Sequence, residues 1–372
     1  MQQNKLRTAL IVVVSLAAAL ISATGASAAD ETAQVSSNIT PVGKTFFREA
    51  SRSARLVFRA DLSAPPSSAK ILPMKNVRIT FPAGMTFRPN SSKTPVCPDS
   101  KLSQQSNLAD PSGIVNGCAT SVIGTGTSAI YLAKINQPAA LISDPILVAF
   151  NAGVNAEGQA RLKIYGYSKT TNVGILMTGT LKGRVLDISV PVLSNDSAVK
   201  YFELSFPGPI LDRPDIGVKT QGRDPDYVQA ACPSGQLQTE AVFELGERTY
   251  PGGVPTTPTT TVAAPNHMQA CTGAIGQAKL AVKAGKAKAV RSGAKASFRI
   301  EVRNSGTRTA GNVVVVSQGG ARVRVGNLTP GQRRTVTVRV RVRGKSGAKV
   351  KVHFTASSGK VSAKTTGRVL IR

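Results

Sequence analysis

The sequence predicts an all-β protein, and three observations support that prediction. Short apolar segments with a two-residue alternation recur at about 10-residue intervals, a spacing typical of strands joined by turns. Gly, Pro, Asn or Asp residues separate most of these segments. The clearest segment is 333–343, where every even position from Val336 to Val342 is valine and the odd positions are threonine or arginine. Because successive side chains of a strand point to opposite faces, this segment predicts one valine face and one arginine face.

The first 29 residues are expected to be a secretory signal peptide. Lys5 and Arg7 precede an apolar run over residues 9–21, and Ala26 and Ala28 supply the small residues of a cleavage site after Ala28 or Ala29. An uncleaved membrane anchor is the alternative, but the run is short for a span of roughly 20 residues. We therefore expect a secreted or extracellular protein that has no membrane span after signal removal and associates with the wall non-covalently.

Cysteine usage agrees with export. The chain has four cysteines, all beyond the predicted signal peptide: Cys97, Cys118, Cys232 and Cys271. Two disulfides are expected, with three possible connectivities, of which we favour the sequential pairing Cys97–Cys118 and Cys232–Cys271. A metal site is the weaker alternative, because no CxxC spacing occurs and the only histidines are His267 and His353.

After a flexible leader at residues 30–40, a first unit at 41–275 is predicted to be a disulfide-held β-sandwich. Its strand candidates lie at 54–63, 76–87 (two short strands), 127–133, 146–151, 161–167, 174–181, 184–192, 200–206 and 236–245. The polar interval between Cys97 and Cys118 is expected to be a surface loop. Residues 211–227 are expected to be a long connection.

The segment 250–265 is rich in Thr and Pro, which favours extended chain. By composition it is a linker, but if Cys232 and Cys271 are bonded it is a hairpin loop of the first unit, and the linker is then 272–277. We favour the hairpin loop. A glycosylated stalk is the third interpretation.

The second unit, 276–372, carries most of the positive charge. It contains 23 Lys and Arg against one acid, Glu301, giving 23 − 1 = +22, whereas residues 1–275 give 24 − 18 = +6. This asymmetry itself indicates a domain boundary. Strand candidates lie at 280–282, 298–303, 312–316, 321–325, 333–343, 350–354 and 361–366, with a terminal pairing at 369–371. Seven short strands in about 95 residues fit an immunoglobulin-like β-sandwich.

Two turn motifs give the second unit a family resemblance. Asn304-Ser305-Gly306 and Leu328-Thr329-Pro330-Gly331 flank the valine-rich strands, and this order resembles the bacterial cell-adhesion-related (CARDB-type) immunoglobulin-like domains. The resemblance implies a module appended to an exported protein, although this module departs from the family's mixed or acidic surface by being so basic. The first unit, through Phe81-Pro-Ala-Gly84, Cys97-Pro98 and Cys118-Ala-Thr-Ser121, is similar to exported all-β proteins of high-GC Gram-positive bacteria.

Catalysis is not expected, and no catalytic, cofactor or metal site is predicted. Residues 30–266 contain no histidine, and the chain lacks GxSxG, HExxH and GxxxxGK[ST] motifs. Asp224 and Asp226 are expected in a solvated turn, with a calcium site or a glycosidase pair as the alternative. A secreted hydrolase tethered by the second unit remains the alternative to a non-catalytic protein. The absence of tryptophan also argues against binding of sugars or single-stranded nucleic acid by stacking.

The predicted contact surface is a set of outward arginines in the second unit: Arg299, Arg303, Arg322, Arg324, Arg339, Arg341 and Arg343. Arginines two residues apart on one strand lie about 7 Å apart, inside the ~8–10 Å Debye length, so they repel one another unless an anion lies above them. We expect one such face to contact an anionic cell-wall polymer or an acidic glycan. The alternatives are a merely solvated cationic surface and, as a secondary consequence of the charge, non-specific nucleic-acid binding.

Overall fold

The computed structural model describes residues 31–64, 71–90, 93–132, 140–193, 197–221, 226–250 and 252–372. The predicted signal peptide and Asp224 lie outside these residues. Strand accounts for about 56% of the structure and helix for about 4%, so the all-β prediction is confirmed. Within the described residues, no helix is both long enough and apolar enough to cross a membrane.

In the described residues, the first unit forms nineteen strands. They are β1 Thr32–Pro41, β2 Phe46–Phe47, β3 Arg52–Ser63, β4 Met74–Thr80, β5 Thr86–Phe87, β6 Val122–Leu132, β7 Ala140–Ile142, β8 Ile146–Val154, β9 Ala160–Ser168, β10 Val173–Lys182, β11 Val185–Ser189, β12 Ala198–Phe206, β13 Asp212–Arg213, β14 Val218–Lys219, β15 Val228–Ala230, β16 Gln236–Leu245, β17 Thr260–Ala263, β18 His267–Ala270 and β19 Gly273–Ala274.

Most of these strands belong to one long antiparallel sheet in the order β17-β16-β4-β11-β10-β9-β8-β6-β12-β3-β15-β5, with β1 beside β3, β18 beside β16 and β7 beside β6. The sheet curves so far that its two ends meet. Ser37 of β1 and Thr239 of β16 share a hydroxyl–hydroxyl bond of 2.8 Å, and the Gln269 side chain of β18 bonds both backbone groups of Ile39. The concave side encloses the main apolar core.

The predicted flexible leader at 30–40 is wrong, because residues 32–41 form β1. This strand pairs with β3 along its full length, from Thr32 opposite Ser63 to Pro41 opposite Ala54. Its inward side chains include Ala33 and Ile39, both buried, and the Gln, Ser and Asn residues between them hid this alternation.

The predicted surface loop between Cys97 and Cys118 is also corrected. Both disulfides follow the predicted sequential pairing, but the interval contains a short helix, α1 Pro111–Gly117. The carboxylate of Asp110 caps this helix by accepting a 2.9 Å bond from the Gly113 amide. Ile114 and Val115 then pack with Phe150 and Tyr165 in a second apolar cluster on the convex side of the sheet. Strands β8 and β9 are therefore buried on both faces.

The Thr/Pro-rich segment folds back onto the first unit, as the hairpin-loop interpretation requires. β17 pairs with the second half of β16, and β18 pairs with its first half. Cys232 and Cys271 then close the segment with Cα atoms 6.1 Å apart. The residues that follow also remain attached, because β19 pairs in parallel with β2.

The second unit contains seven strands: β20 Leu280–Ala284, β21 Lys295–Asn304, β22 Ala310–Ser317, β23 Arg322–Leu328, β24 Arg333–Arg341, β25 Lys349–Ser358 and β26 Val361–Leu370. They form a three-stranded sheet, β20-β21-β24, and a four-stranded sheet, β23-β22-β25-β26. The two sheets face each other across one apolar cluster, in which the rings of Phe298 and Phe354 lie 5.0 Å apart. The predicted valine face of β24 is confirmed, since Val338 and Val340 are buried in this cluster.

The Asn304-Ser305-Gly306 motif is stabilised by hydrogen bonds of the Asn304 side chain. Its side chain is fully buried, and its Nδ2 donates to the backbone oxygens of Arg308 and Leu328 at 2.7 and 2.9 Å. Its Oδ1 accepts from the amides of Lys279 and Gly306 at 3.2 and 3.0 Å. One asparagine therefore ties its own turn, residues 304–308, to Lys279 and Leu328 at this end of the second unit.

Candidate anion-binding surface

The outer face of the three-stranded sheet carries a dense group of cations. Pairing of β21 with β24 sets Lys295 opposite Arg341 and Arg303 opposite Arg333. All four side chains are exposed. Residues directly opposite in an antiparallel pair have Cβ atoms about 4.5–5.5 Å apart, so each pair places two like charges side by side.

Arg299 and Arg339 join these pairs into a continuous group. Both are exposed and face outward between buried core residues. Arg339 lies one outward position from Arg341, about 7 Å along β24, and diagonally across from Arg299. Lys283 of β20 adds a further cation, opposite Glu301. We call Lys283, Lys295, Arg299, Arg303, Arg333, Arg339 and Arg341 the cationic face.

Almost nothing within the protein neutralises this face. Residues 276–372, all of which the structure describes, contain no ion pair with nitrogen and oxygen within 4.0 Å. Glu301 is the one acid of the second unit and is half-buried between Lys283 and Thr335. The charges are therefore balanced by solvent ions or by an external anion.

The expectation that all seven predicted arginines share one face is wrong. Arg322 and Arg324 lie on β23, which belongs to the four-stranded sheet, and their outward side is the opposite side of the sandwich. Alternation in the sequence shows that these side chains point away from the core, and both are exposed. It does not show to which sheet their strand belongs.

The remaining arginines near β24 have separate positions. Arg343 is exposed and lies two residues beyond the end of the strand, so strand pairing does not place it on the cationic face. Arg334 is on the opposite parity to Arg333 and bends across the edge of the sandwich, where its Nη1 donates to the Val325 backbone oxygen at 2.6 Å.

Three members of the cationic face were not predicted as contact residues: Lys283, Lys295 and Arg333. Lys295 and Arg333 belong to this face because each lies opposite another cation on the neighbouring strand. A single sequence does not show which strands pair. Arg333 could have been predicted as a contact residue, because it has the same odd parity as Arg339 and Arg341 and the opposite parity to the valines of the strand.

The other predicted chemistry is not assembled in the described residues. Asp226 accepts a short bond from the Ser53 hydroxyl and pairs with Lys93 at 3.1 Å, and these two bonds lower the pKa of its carboxyl group. Its predicted companion Asp224 lies outside the described residues. Among the residues that the structure covers, no group of three or more His, Cys, Asp or Glu side chains could hold a metal ion.

No protein-family model matches the chain, and no curated protein matches it. Among solved structures, the crystal structure of the S-layer protein rSbsC(31-844) aligns at 14% identity with a TM-score of 0.21, over 91% of this chain and 54% of that one. The chain thus spans about half the length of that structure. A similarity this low does not establish a common fold.

Proposed function

We propose that this protein is an exported, non-catalytic protein that adheres to an anionic polymer of the cell envelope through the cationic face. The observation that carries the proposal is the direct opposition of like charges on β21 and β24, Lys295 with Arg341 and Arg303 with Arg333, with no ion pair in the unit. Such an arrangement destabilises the sheet on its own, and a bound polyanion relieves it.

The cationic face is a better platform for a polyanion than the opposite side of the sandwich. On the four-stranded sheet the outward cations are spread over β23, β25 and β26, and one pair of them is directly opposed, Lys351 with Arg368. Arg322 and Lys364 share one outward row but are three strand spacings apart, about 14 Å, with Val316 and Thr355 between them. On the three-stranded sheet, seven cations lie on three adjacent strands and form two directly opposed pairs, Lys295 with Arg341 and Arg303 with Arg333. Repeating phosphates or carboxylates on a chain molecule can therefore contact several cations at once.

An extracytoplasmic location agrees with the two disulfides, which persist in oxidising compartments. Wall phosphate polymers and acidic glycans both offer closely spaced anions to arginine, whose guanidinium binds phosphate and carboxylate with paired hydrogen bonds. The resemblance of the second unit to adhesion-related modules of exported proteins adds to this proposal.

The test is co-sedimentation of the mature chain with purified cell-wall fragments, before and after chemical removal of their phosphate polymers and acidic glycans. We expect strong binding in about 0.1 M salt and loss of binding in about 1 M salt, because the Debye length falls from about 10 Å to about 3 Å. Stripped walls should bind little. Binding that is unchanged at high salt, or on stripped walls, would contradict the proposal.

Duplex DNA serves as the competitor in the same assay. If the surface is built for wall polymers, DNA at equal charge concentration should displace the protein only partly. Complete displacement with a steep salt dependence would favour general polyanion binding instead, because that dependence reports the number of phosphates neutralised.

A further inference from the structure

Arg248, just beyond β16 in the first unit, is a buried cation without a counter-charge. It is 9% exposed, and its Nη1 and Nη2 donate to the backbone oxygens of Val190 and Met74 at 3.0 and 2.9 Å. Its Nε is buried and has no hydrogen-bond partner. Among the described residues no carboxylate lies within 4.0 Å of this guanidinium, and burial lowers the pKa of Arg248. A buried charge without a partner is costly, so this arrangement needs an explanation.

Arg248 lines a small recess of about 10 Å³ that adjoins a larger cavity of about 80 Å³. The two share four lining residues, Met74, Val190, Leu193 and Val199. The larger cavity lies on the concave side of the curved sheet, and its other lining residues include Ile130, Ile164, Ile175 and Phe202. Its walls are almost wholly apolar. Val173 also lines it and is 44% exposed, so the cavity reaches the surface at that end.

We propose that this cavity binds a single-chain carboxylate, with its alkyl chain among the apolar residues and its carboxylate at Arg248. One water molecule needs roughly 10–15 Å³ of such cavity volume. The cavity therefore has room for about five to eight water-sized groups, which is the size of a medium alkyl chain. The recess holds about one such group. A carboxylate oxygen therefore fits there, whereas the larger phosphate group does not. Few polar groups in an otherwise apolar pocket are the usual pattern of a small-molecule site.

The competing explanation is that Arg248 only ties the start of β4 to the residues that follow β11. Its two bonds to Met74 and Val190 do make that connection. A purely structural arginine gives no preference for a charged ligand over a neutral one of the same length. Comparison of octanoate with octanol therefore separates the two explanations.

The experiment is isothermal titration of the full mature chain with octanoate and with octanol. Arg248→Met removes the charge at similar volume, and Val199→Phe fills the junction of the two cavities while leaving the arginine in place. We expect wild type to bind octanoate at least about tenfold more tightly than octanol, Arg248→Met to lose this preference but keep octanol binding, and Val199→Phe to weaken both.

Equal binding of the two ligands by wild type, or no octanoate binding at millimolar concentration, would overturn the proposal. Should Arg248→Met fail to fold, the comparison between wild type and Val199→Phe decides. That variant retains the cationic face of the second unit, so octanoate binding that survives unchanged in it would come from outside the cavity and would refute the proposal. The outcome is independent of wall binding, since no residue is shared.

Discussion

At the scale of single residues, Lys163 is a strand lysine that becomes buried because a distant segment of the chain covers it. It lies on β9 with its side chain 3% exposed, and its ammonium group bonds the Leu102 and Cys97 backbone oxygens at 2.5 and 3.4 Å. Asp99 pairs with it at 2.6 Å, and this bond lowers the pKa of the Asp99 carboxyl group. The lysine therefore anchors the disulfide-closed segment onto the sheet.

We predict that Lys163→Met lowers the free energy of unfolding by about 2–4 kcal/mol, because two carbonyl oxygens and one carboxylate lose a charged partner. Chemical denaturation measures the change. Arg161→Met is the matched control, since Arg161 lies 3.7 Å from the same Asp99 but near the surface, and should cost less than about 1 kcal/mol. Equal effects of the two substitutions would contradict the anchoring role.

The burial of Lys163 could not be predicted from the sequence. The segment 161–167 was correctly predicted as a strand, and a lysine within a strand ordinarily points to solvent. The cover comes from residues 97–118, more than 40 positions earlier, whose Ser- and Asp-rich composition concealed the apolar pair Ile114 and Val115. In the same way, the small polar residues of 32–40 concealed β1.

At the scale of elements, the sequence determined which side chains of β24 face the core but not which neighbours they meet. The period of two is a property of the backbone and is visible in any single strand. Register and sheet membership depend on pairing with distant segments. The prediction was therefore right about the outward direction of Arg339 and Arg341 and wrong to place Arg322 and Arg324 on the same side.

The like-charge pairs lead to a prediction in which stability and binding change in opposite directions. Arg341→Glu places a carboxylate opposite Lys295, which should raise the free energy of unfolding by about 0.2–1 kcal/mol and weaken wall binding. Thermal unfolding and co-sedimentation measure the two effects.

Arg343→Glu is the control for that substitution, because it removes the same charge beyond the end of the strand. It should leave stability nearly unchanged. If Arg341→Glu also leaves stability unchanged, or lowers it, the two cations do not repel each other as the register implies.

At the scale of the whole molecule, the two units are joined by more than the chain between them. Glu49 of the first unit accepts a 2.7 Å bond from the Thr309 amide and a short bond from the Thr309 hydroxyl. These bonds lower the pKa of the Glu49 carboxyl group below its ordinary value of 4.5. This contact could not be predicted from the sequence, because it joins exposed polar residues 260 positions apart.

We predict that acid weakens this contact between the units. Because the pKa of Glu49 is lower in the folded protein, its contribution is fully present above pH 4.5 and is lost as the pH falls below that value through the folded pKa. Limited proteolysis of the segment 275–279 should accelerate over that range. The Glu49→Gln variant should be cleaved faster at neutral pH with little further change, and an identical pH response in both proteins would contradict the assignment to Glu49.

Binding through one face of the second unit and binding through its total charge give different results when equal charge is removed from its two sheets. Two variants remove four positive charges each. One carries Gln at Arg299, Arg303, Arg339 and Arg341 on the three-stranded sheet, and the other carries Gln at Arg322, Arg324, Lys351 and Lys364 on the four-stranded sheet.

The most direct measurement is the affinity of both variants for purified wall fragments in about 0.1 M salt. The first should bind at least about tenfold more weakly than wild type, and the second should stay within about threefold, because the first loses four of the seven members of the cationic face and the second loses none. Equal losses in the two variants would show that net charge alone governs binding and would contradict the account.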